Sequence, residues 1–461
     1  MSWEASWEDP FAGYLRCFDG LIGDKRTGVT FGEIVRGIIG AGSVVCQRIA
    51  ASSPILNAVT DGAQRVIRLA TGESTKRSQL DAESLTERLR NRGIEELAQA
   101  ESDELWLMLD GSDLRKPHAE AMPDLMQVKA LDGSLVPGYR TLNVLGVTPK
   151  RRGILYHRLF SSEEAGFVSE PVEVQKALRA VHQALQSALR WSNVSWIIDR
   201  GLDDVAVWRT IWEQDEHVVS RVKHTERLIA YQSQNGQWVE SDVAGAASSA
   251  LRLWATVQTE MVTTRGRQVR PKAQMVTAEI KACPIRLTYD LNVRRKGEPE
   301  AAQKDLWLVE VHLLGTKLDP WLLITDWPVS DAESAVRIFR MYRQRWAVED
   351  SFKFTKEGLG WEDVQLLDMT GIRTLVALAW VAAGFLYELG LTLDWPEVQL
   401  LARLGGWVPH KDRKPGKITL TRGLHRVVEM LTTEAFLQAY IKEHGALPRR
   451  IAALLKDWTP R

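Results

Sequence analysis

Residues 342–356 read YRQRWAVEDSFKFTK, and the architecture of the chain turns on how this stretch is read. On an α-helix advancing about 100° per residue, Tyr342, Arg345, Glu349 and Lys356 fall at about 0°, −60°, −20° and −40°, a single face about 60° wide. Trp346 falls about 40° from Tyr342 on the other side, off that face, and is assigned to packing. Val348, Phe352 and Phe354 add apolar surface, so the pattern predicts one long helix from about 331 to 358, packed on both flanks. An exposed stripe with an i,i+4 pair between Arg345 and Glu349 is the ordinary account of such a face. A half-buried charged face is costly unless it binds something.

The segments to either side supply something for it to bind with. ELWLMLD (104–110) and VSWIIDR (194–200) are short, dense apolar runs that reach an aspartate, Asp110 and Asp199. Runs of this kind read as buried central strands, and open α/β sheets place their sites at the carboxyl ends of such strands. Either aspartate alone is a common turn or cap residue. Two of them beside a Tyr-Arg-Glu-Lys face favour a metal and phosphate site. HVVSRVK (217–223) is a third strand run and carries Arg221. LNVLGVT and GILYHRLF, joined by PKRR, fit a hairpin.

The rest of the chain divides by texture. The first hundred residues show apolar positions at threes and fours and read as helices, with a polar linker, GESTKRSQLDAES, near 72–84. Residues 225–325 change to period-two segments and turn residues and read as an all-β insertion, and 371–461 are again mainly helical. The resulting expectation is a helical N-terminal domain (1–100), an α/β core in two parts (101–224 and 326–370) around a β-rich insertion (225–325), and a helical C-terminal domain (371–461). The most apolar run, 374–387, is shorter than the ~20 residues a membrane span needs and reads as a buried helix.

Composition bounds the function classes. Lys and Arg number 59, as do Asp and Glu, so the formal net charge is zero. Bulk charge therefore does not drive binding to nucleic acid or membrane, but the balance is uneven. Residues 251–300 carry a net +5 and 401–461 a net +7, while 201–250 and 351–400 carry −4 each. Three cysteines (Cys17, Cys46, Cys283) without a CxxC pair argue against a disulfide scaffold or cysteine zinc site and fit a reducing cytoplasm. The nine histidines form no HExxH, and no Gly-x4-Gly-Lys-Ser/Thr loop is present, so no nucleotide cofactor is expected. The acidic start of the chain is unlike a secretory leader.

The spacing Tyr-x2-Arg-x3-Glu-x6-Lys resembles the Y-R-E-K signature of cut-and-paste bacterial insertion-sequence transposases, members of the DDE group with an RNase H-like, retroviral-integrase-type core. LMLDGSDLRKP is similar to the segment of the first aspartate, with Ser112 two positions on. WIIDRGLDD resembles the second-aspartate block, as Asp199, Arg200 and Asp203. VVSRVKH places Arg221 at the position of an active-site arginine, and LDPWLLITDWPV places Trp321 at that of a base-stacking tryptophan. The chain departs from the pattern in Gly111-Ser112 after the first aspartate and in Gly201 after Arg200. The resemblance spans about 100 to 385.

That resemblance implies an α/β fold with an RNase H-like core, a DNA-end-binding role for 1–100, a dimerisation and DNA-contact role for 371–461, and a catalytic, metal-binding triad of Asp110, Asp199 and Glu349. It implies two Mg²⁺ ions, roughly 3.5–4 Å apart, for which Mn²⁺ would substitute. Asp110 would bridge them. Tyr342, Arg345, Lys356 and Arg221 would contact DNA phosphates, and Trp321 an extruded base. Arg115 and Lys116 read as solvated turn residues. The implied activity is cleavage at the element's terminal inverted repeats to free a 3′-OH, with a hairpin intermediate, followed by strand transfer into target DNA by a homodimer, in the bacterial cytoplasm at the nucleoid. Two other readings stand beside it: an RNase H-like nuclease that cuts without joining, and a domesticated, non-catalytic DNA-binding regulator.

Overall fold

The computed structural model describes residues 10–58, 60–73, 80–130, 132–188, 190–263, 272–290, 301–408 and 415–455. The middle of the polar linker, residues 264–271 and 291–300, and with them six of the ten Lys/Arg of the basic block 251–300 lie outside the described residues.

A mixed α/β architecture is built on one large sheet. Strand β1 (Glu104–Arg115) is an interior strand, with β3 (Leu135–Val147) antiparallel on one side and β5 (Asn193–Ile198) parallel on the other. The short β2 (Met126–Lys129) and β4 (Arg152–Phe160) both pair with β3, and β6 (His217–Arg221) runs parallel to β5. The β3–β4 hairpin closes around Pro149 and Lys150, as the PKRR turn anticipates. Six further strands follow: β7 (Leu228–Gln232), β8 (Trp238–Asp242), β9 (Arg252–Thr263), β10 (Lys272–Asp290), β11 (Ala301–Leu313) and β12 (Trp321–Thr325). The 225–325 region is thus largely β, corrected by one helix, Val243–Ser249, capped by the Asp242 carboxylate on Gly245 N–H. It does not form a sheet of its own. β12 pairs with β6 and β11, so the same twelve strands are continuous from β2 to β8.

Two boundaries drawn from texture do not separate in space. The Ala82–Ala98 helix, from the first hundred residues, packs on β4 and on the Met369–Thr392 helix. The contact is backbone-close, since a Cβ on Gly93 would stand 2.6 Å from the Ile154 carbonyl oxygen. The Met369–Thr392 helix has Leu375 through Ala383 all buried, the interior helix expected of the 374–387 run. Its length and composition would suffice to cross a membrane, but much of its apolar surface is covered by protein.

The long helix expected from 331 to 358 is broken twice. Asp331 caps the Ala332–Arg343 helix in a capping box with Ser334. The chain then tightens, with Arg345 N–H bonding back only three residues to the Tyr342 carbonyl, before a second helix, Trp346–Lys353, and a π-turn, Phe354–Gly358. The 3₁₀-type step and the π-turn each change the angular advance per residue, so a fan built on 100° steps does not hold across the stretch. Clamps fix both pieces to the sheet. The Arg343 guanidinium donates to Thr259 Oγ1 and, at 2.6 Å, to the Glu260 carbonyl on β9.

The expectation that Lys116 is a solvated turn residue is corrected. Its side chain is buried, and the ammonium donates to the carbonyls of Glu362 and, at 2.5 Å, Val364. Burial lowers its pKa to about 8. It ties the far end of β1 to the segment leaving the π-turn. Lys116→Met should therefore lower unfolding stability by about 1–3 kcal/mol in urea titration, since both buried carbonyls lose their donor. Arg115→Ala, which removes an exposed bond to the Lys129 carbonyl, should change it by less than about 0.5 kcal/mol. Equal effects would contradict the clamp.

Candidate active site

Asp110 does not end its strand, as the sequence suggests; β1 continues against β3 to Arg115. What ends is the parallel pairing, whose last partners are Leu109 and Ile198. Asp110 and Asp199 are therefore each the first residue beyond that pair, side by side on adjacent parallel strands. Glu349 reaches the same point from the Trp346–Lys353 helix, which packs on β1 and β3. All three carboxylates surround one side chain. Arg345, 5% exposed, lies 2.7 Å from Glu349 Oε1, 3.5 Å from Asp110 Oδ2 and 3.8 Å from Asp199 Oδ1.

The electrostatics follow from this crowding. Burial pushes the Asp110 carboxyl up to about 7, with Asp199 and Glu349 adding to the effect and Arg345 and the Gly111 N–H opposing it. For Arg345, burial works against the charge, but the surrounding acids and the Tyr342 oxygen hold the guanidinium above its usual range. Tyr342 is raised by burial first and by Asp199 second; its hydroxyl donates to Asp199 Oδ1 at 2.9 Å. Arg221 stands 4.0 Å from that same oxygen.

The structure thus brings together Asp110, Asp199, Glu349, Tyr342, Arg345 and Arg221, and sets Lys356 slightly apart. The Lys356 ammonium donates to the Asp113 carbonyl at 2.9 Å and pairs with Glu362 at 3.1 Å, so it ties the π-turn to β1. Trp321 is 6% exposed, with its ring against Phe339, Tyr342 and Trp346. It floors a cleft of about 300 Å³ beside the triad, also lined by Arg200, Arg221, Tyr342, Arg345 and Trp346.

Two residues escape the sequence reading. Trp346 belongs to this cleft, 38% exposed, because the tightened turn at Gln344 and Arg345 carries it off its packing azimuth. Asp203 has a role the motif did not reveal. Its buried carboxylate accepts from the N–H groups of Lys223 (2.6 Å) and His224 (3.1 Å) and pairs with Arg227 at 2.8 Å, pinning the chain just after Arg221. The return of an arginine a few residues past the third strand run was the available signal.

Hard divalent cations take carboxylate oxygens, and this donor set fits them in kind. The arrangement differs: among the described residues, no group of three or more His, Cys, Asp or Glu side chains is disposed to hold a metal ion. The acids are turned onto Arg345 instead.

No family profile and no curated protein matches this chain. Among solved structures, it is similar to the piggyBac transposase synaptic complex with hairpin DNA, at a TM-score of 0.38 and 10% identity, over 78% of this chain. The match spans 58% of that transposase chain. Similarity at this level fixes neither a family nor an activity.

Because folded Asp110 keeps its proton to about pH 7 and an unfolded aspartate releases it near 3.8, the folded state holds the extra proton between those values. Its contribution to stability is present at low pH and is lost as pH rises from about 4 through 7. Without added metal, Asp110→Asn should be more stable than the parent by about 1–3 kcal/mol at pH 8 and by much less at pH 4. Chemical denaturation across that range checks this; a difference that grows toward acid would contradict the buried carboxyl.

Proposed function

We propose that this chain is a DDE-type DNA transposase of the insertion-sequence kind, with β1, β3, β4, β5 and β6 as an RNase H-like core. It would act on the terminal inverted repeats of its own element and join the freed 3′-OH to target DNA. The observation that carries this reading is the meeting of Asp110, Asp199 and Glu349, from two parallel strands and a separate helix, within 4 Å of one guanidinium. Tyr342 and Arg221 at the same oxygen, and an aromatic cleft alongside, fit a phosphodiester and its neighbouring base.

In the reaction, Asp110, Asp199 and Glu349 would hold Mg²⁺, or Mn²⁺ in its place. When bound, the metal would supply charge stabilisation on the attacking and leaving oxygens of an in-line displacement. Arg221 would fix the phosphate backbone from β6, and Arg345 from the helix turn, as multidentate donors. Tyr342 orients Asp199 through its hydroxyl. Lys356, held by the Asp113 carbonyl, keeps the helix exit against β1 and adds positive charge near the strand path. Trp346, half-exposed and edge-on to the buried Trp321, would offer the face on which an extruded base stacks, worth about 1–3 kcal/mol per base, with Trp321 as the floor beneath it. The basic blocks at 251–300 and 401–461 would give DNA binding a strong salt dependence. Two copies would act together on two element ends, in the bacterial cytoplasm.

The test is a DNA duplex bearing an element end, incubated with the protein and Mg²⁺ and resolved on a denaturing gel. Nicked, hairpin and joined products are expected. Asp110→Ala, Asp199→Ala and Glu349→Ala should each lower cleavage about 10³-fold or more while sparing end binding, since each removes several kcal/mol of transition-state stabilisation. A variant that retains full nicking leaves the triad. Products nicked but never joined would identify a nuclease instead.

Trp346→Ala should depress hairpin formation about tenfold relative to first nicking, because the extruded base loses its exposed stacking face. Equal losses at both steps would assign Trp346 to packing.

A further inference from the structure

Arg345 lies between two environments. On one side its guanidinium is spread over three carboxylates, with one short contact, to Glu349 at 2.7 Å, and two longer ones at 3.5 and 3.8 Å. Its Nε is buried without a hydrogen-bond partner among the described residues. On the other side it lines the Trp321–Trp346 cleft, where Arg200 and Arg221 also present guanidinium groups. A cation this incompletely bonded therefore borders both the acids and the cleft.

The three acids need a cation. Held together without one they repel, and in a site of reduced dielectric that repulsion is strong. With all three acids ionised, a guanidinium supplies a single positive charge to three negative ones, so it offsets the repulsion only in part. A divalent cation would offset it better, but the guanidinium stands among the acids, and among the described residues the donor set fits a metal in kind and not in arrangement.

We infer that Arg345 is an internal counter-ion that occupies the metal position in the free protein and is drawn off it by a DNA phosphate entering the cleft. The inference rests on the proposed phosphodiester site and adds a regulation to it. Metal affinity is low in the free protein and rises when DNA offers Arg345 an alternative anion. Because such coupling is reciprocal, metal raises DNA affinity by the same factor. The acids are thus armed only where substrate is present, which suppresses stray hydrolysis. Arg221 and Arg200 would hold the phosphate: both line the cleft, whose three arginines outnumber its one carboxylate, Asp319, and Arg221 stands 4.0 Å from Asp199.

The experiment measures Mn²⁺ binding to the full chain, by the electron paramagnetic resonance signal of free Mn²⁺, with and without a short DNA duplex. The parent should bind weakly alone and at least tenfold more tightly with DNA. Arg345→Gln should bind Mn²⁺ at least tenfold more tightly without DNA, and added duplex should then change its affinity less than threefold. Adding Asp110→Asn or Glu349→Gln to that variant should abolish the gain. If Arg345→Gln does not fold, Arg345→Lys carries the test, because an ammonium cannot span three carboxylates; about threefold tighter binding is expected. Carboxylate-dependent binding that is no tighter in either variant than in the parent overturns the counter-ion role and leaves the metal site standing. An absence of carboxylate-dependent Mn²⁺ binding in parent and variants alike, with DNA present, overturns the metal site itself and the inference with it.

Discussion

Mutual repulsion among Asp110, Asp199 and Glu349 is the constraint to which the rest of the molecule answers. Left to solvent, three acids would spread apart; here each is fixed by an element that cannot yield. Asp110 and Asp199 are set by the register of β1 against β5, where a one-residue slip would turn either carboxylate to the opposite face. Glu349 is set by a helix held at both ends. Arg343 anchors its approach to β9, and Lys356 and Lys116 anchor its exit to β1. The fold forces the acids together, and Arg345 makes that tolerable.

The same constraint explains why the elements outside the core are not accessories. β9 reaches back to grip Arg343, and β12 returns to pair with β6, so the long β segment braces the helix that carries Glu349. The Met369–Thr392 helix supplies the buried mass behind it, with Tyr387 donating to Ser351 on the Glu349 helix at 2.7 Å. Asp203 does for Arg221 what these do for Glu349. Rigid supports of this kind hold charged groups to within about 0.5 Å of one set geometry.

Much of this was legible in the residues. The dense apolar runs before Asp110 and Asp199 named the two central parallel strands, and the Tyr-Arg-Glu spacing put three side chains in one place. Where the sequence misled, the reason is physical. A uniform 100° advance cannot anticipate a tightened turn at Gln344 and Arg345 or a π-turn at Phe354, since both arise from packing against the sheet rather than from local propensity. That hid the exposure of Trp346 and the clamping role of Lys356. Lys116 looked like a turn residue because its partners, the Glu362 and Val364 carbonyls, are about 250 positions away in the chain. Texture is likewise silent on how the stretches pack. Helical and β stretches differ in composition, but the Ala82–Ala98 helix and β12 close onto the core through contacts that no local window contains.

Anomalous diffraction from crystals of the protein with a short DNA duplex and Mn²⁺ tests the central claim most directly. The account predicts manganese peaks roughly 2.0–2.2 Å from oxygens of Asp110, Asp199 and Glu349. It also predicts the Arg345 guanidinium withdrawn to a backbone phosphate beside Arg221. Manganese absent from these carboxylates, with Arg345 still paired to Glu349 while DNA fills the cleft, would contradict it.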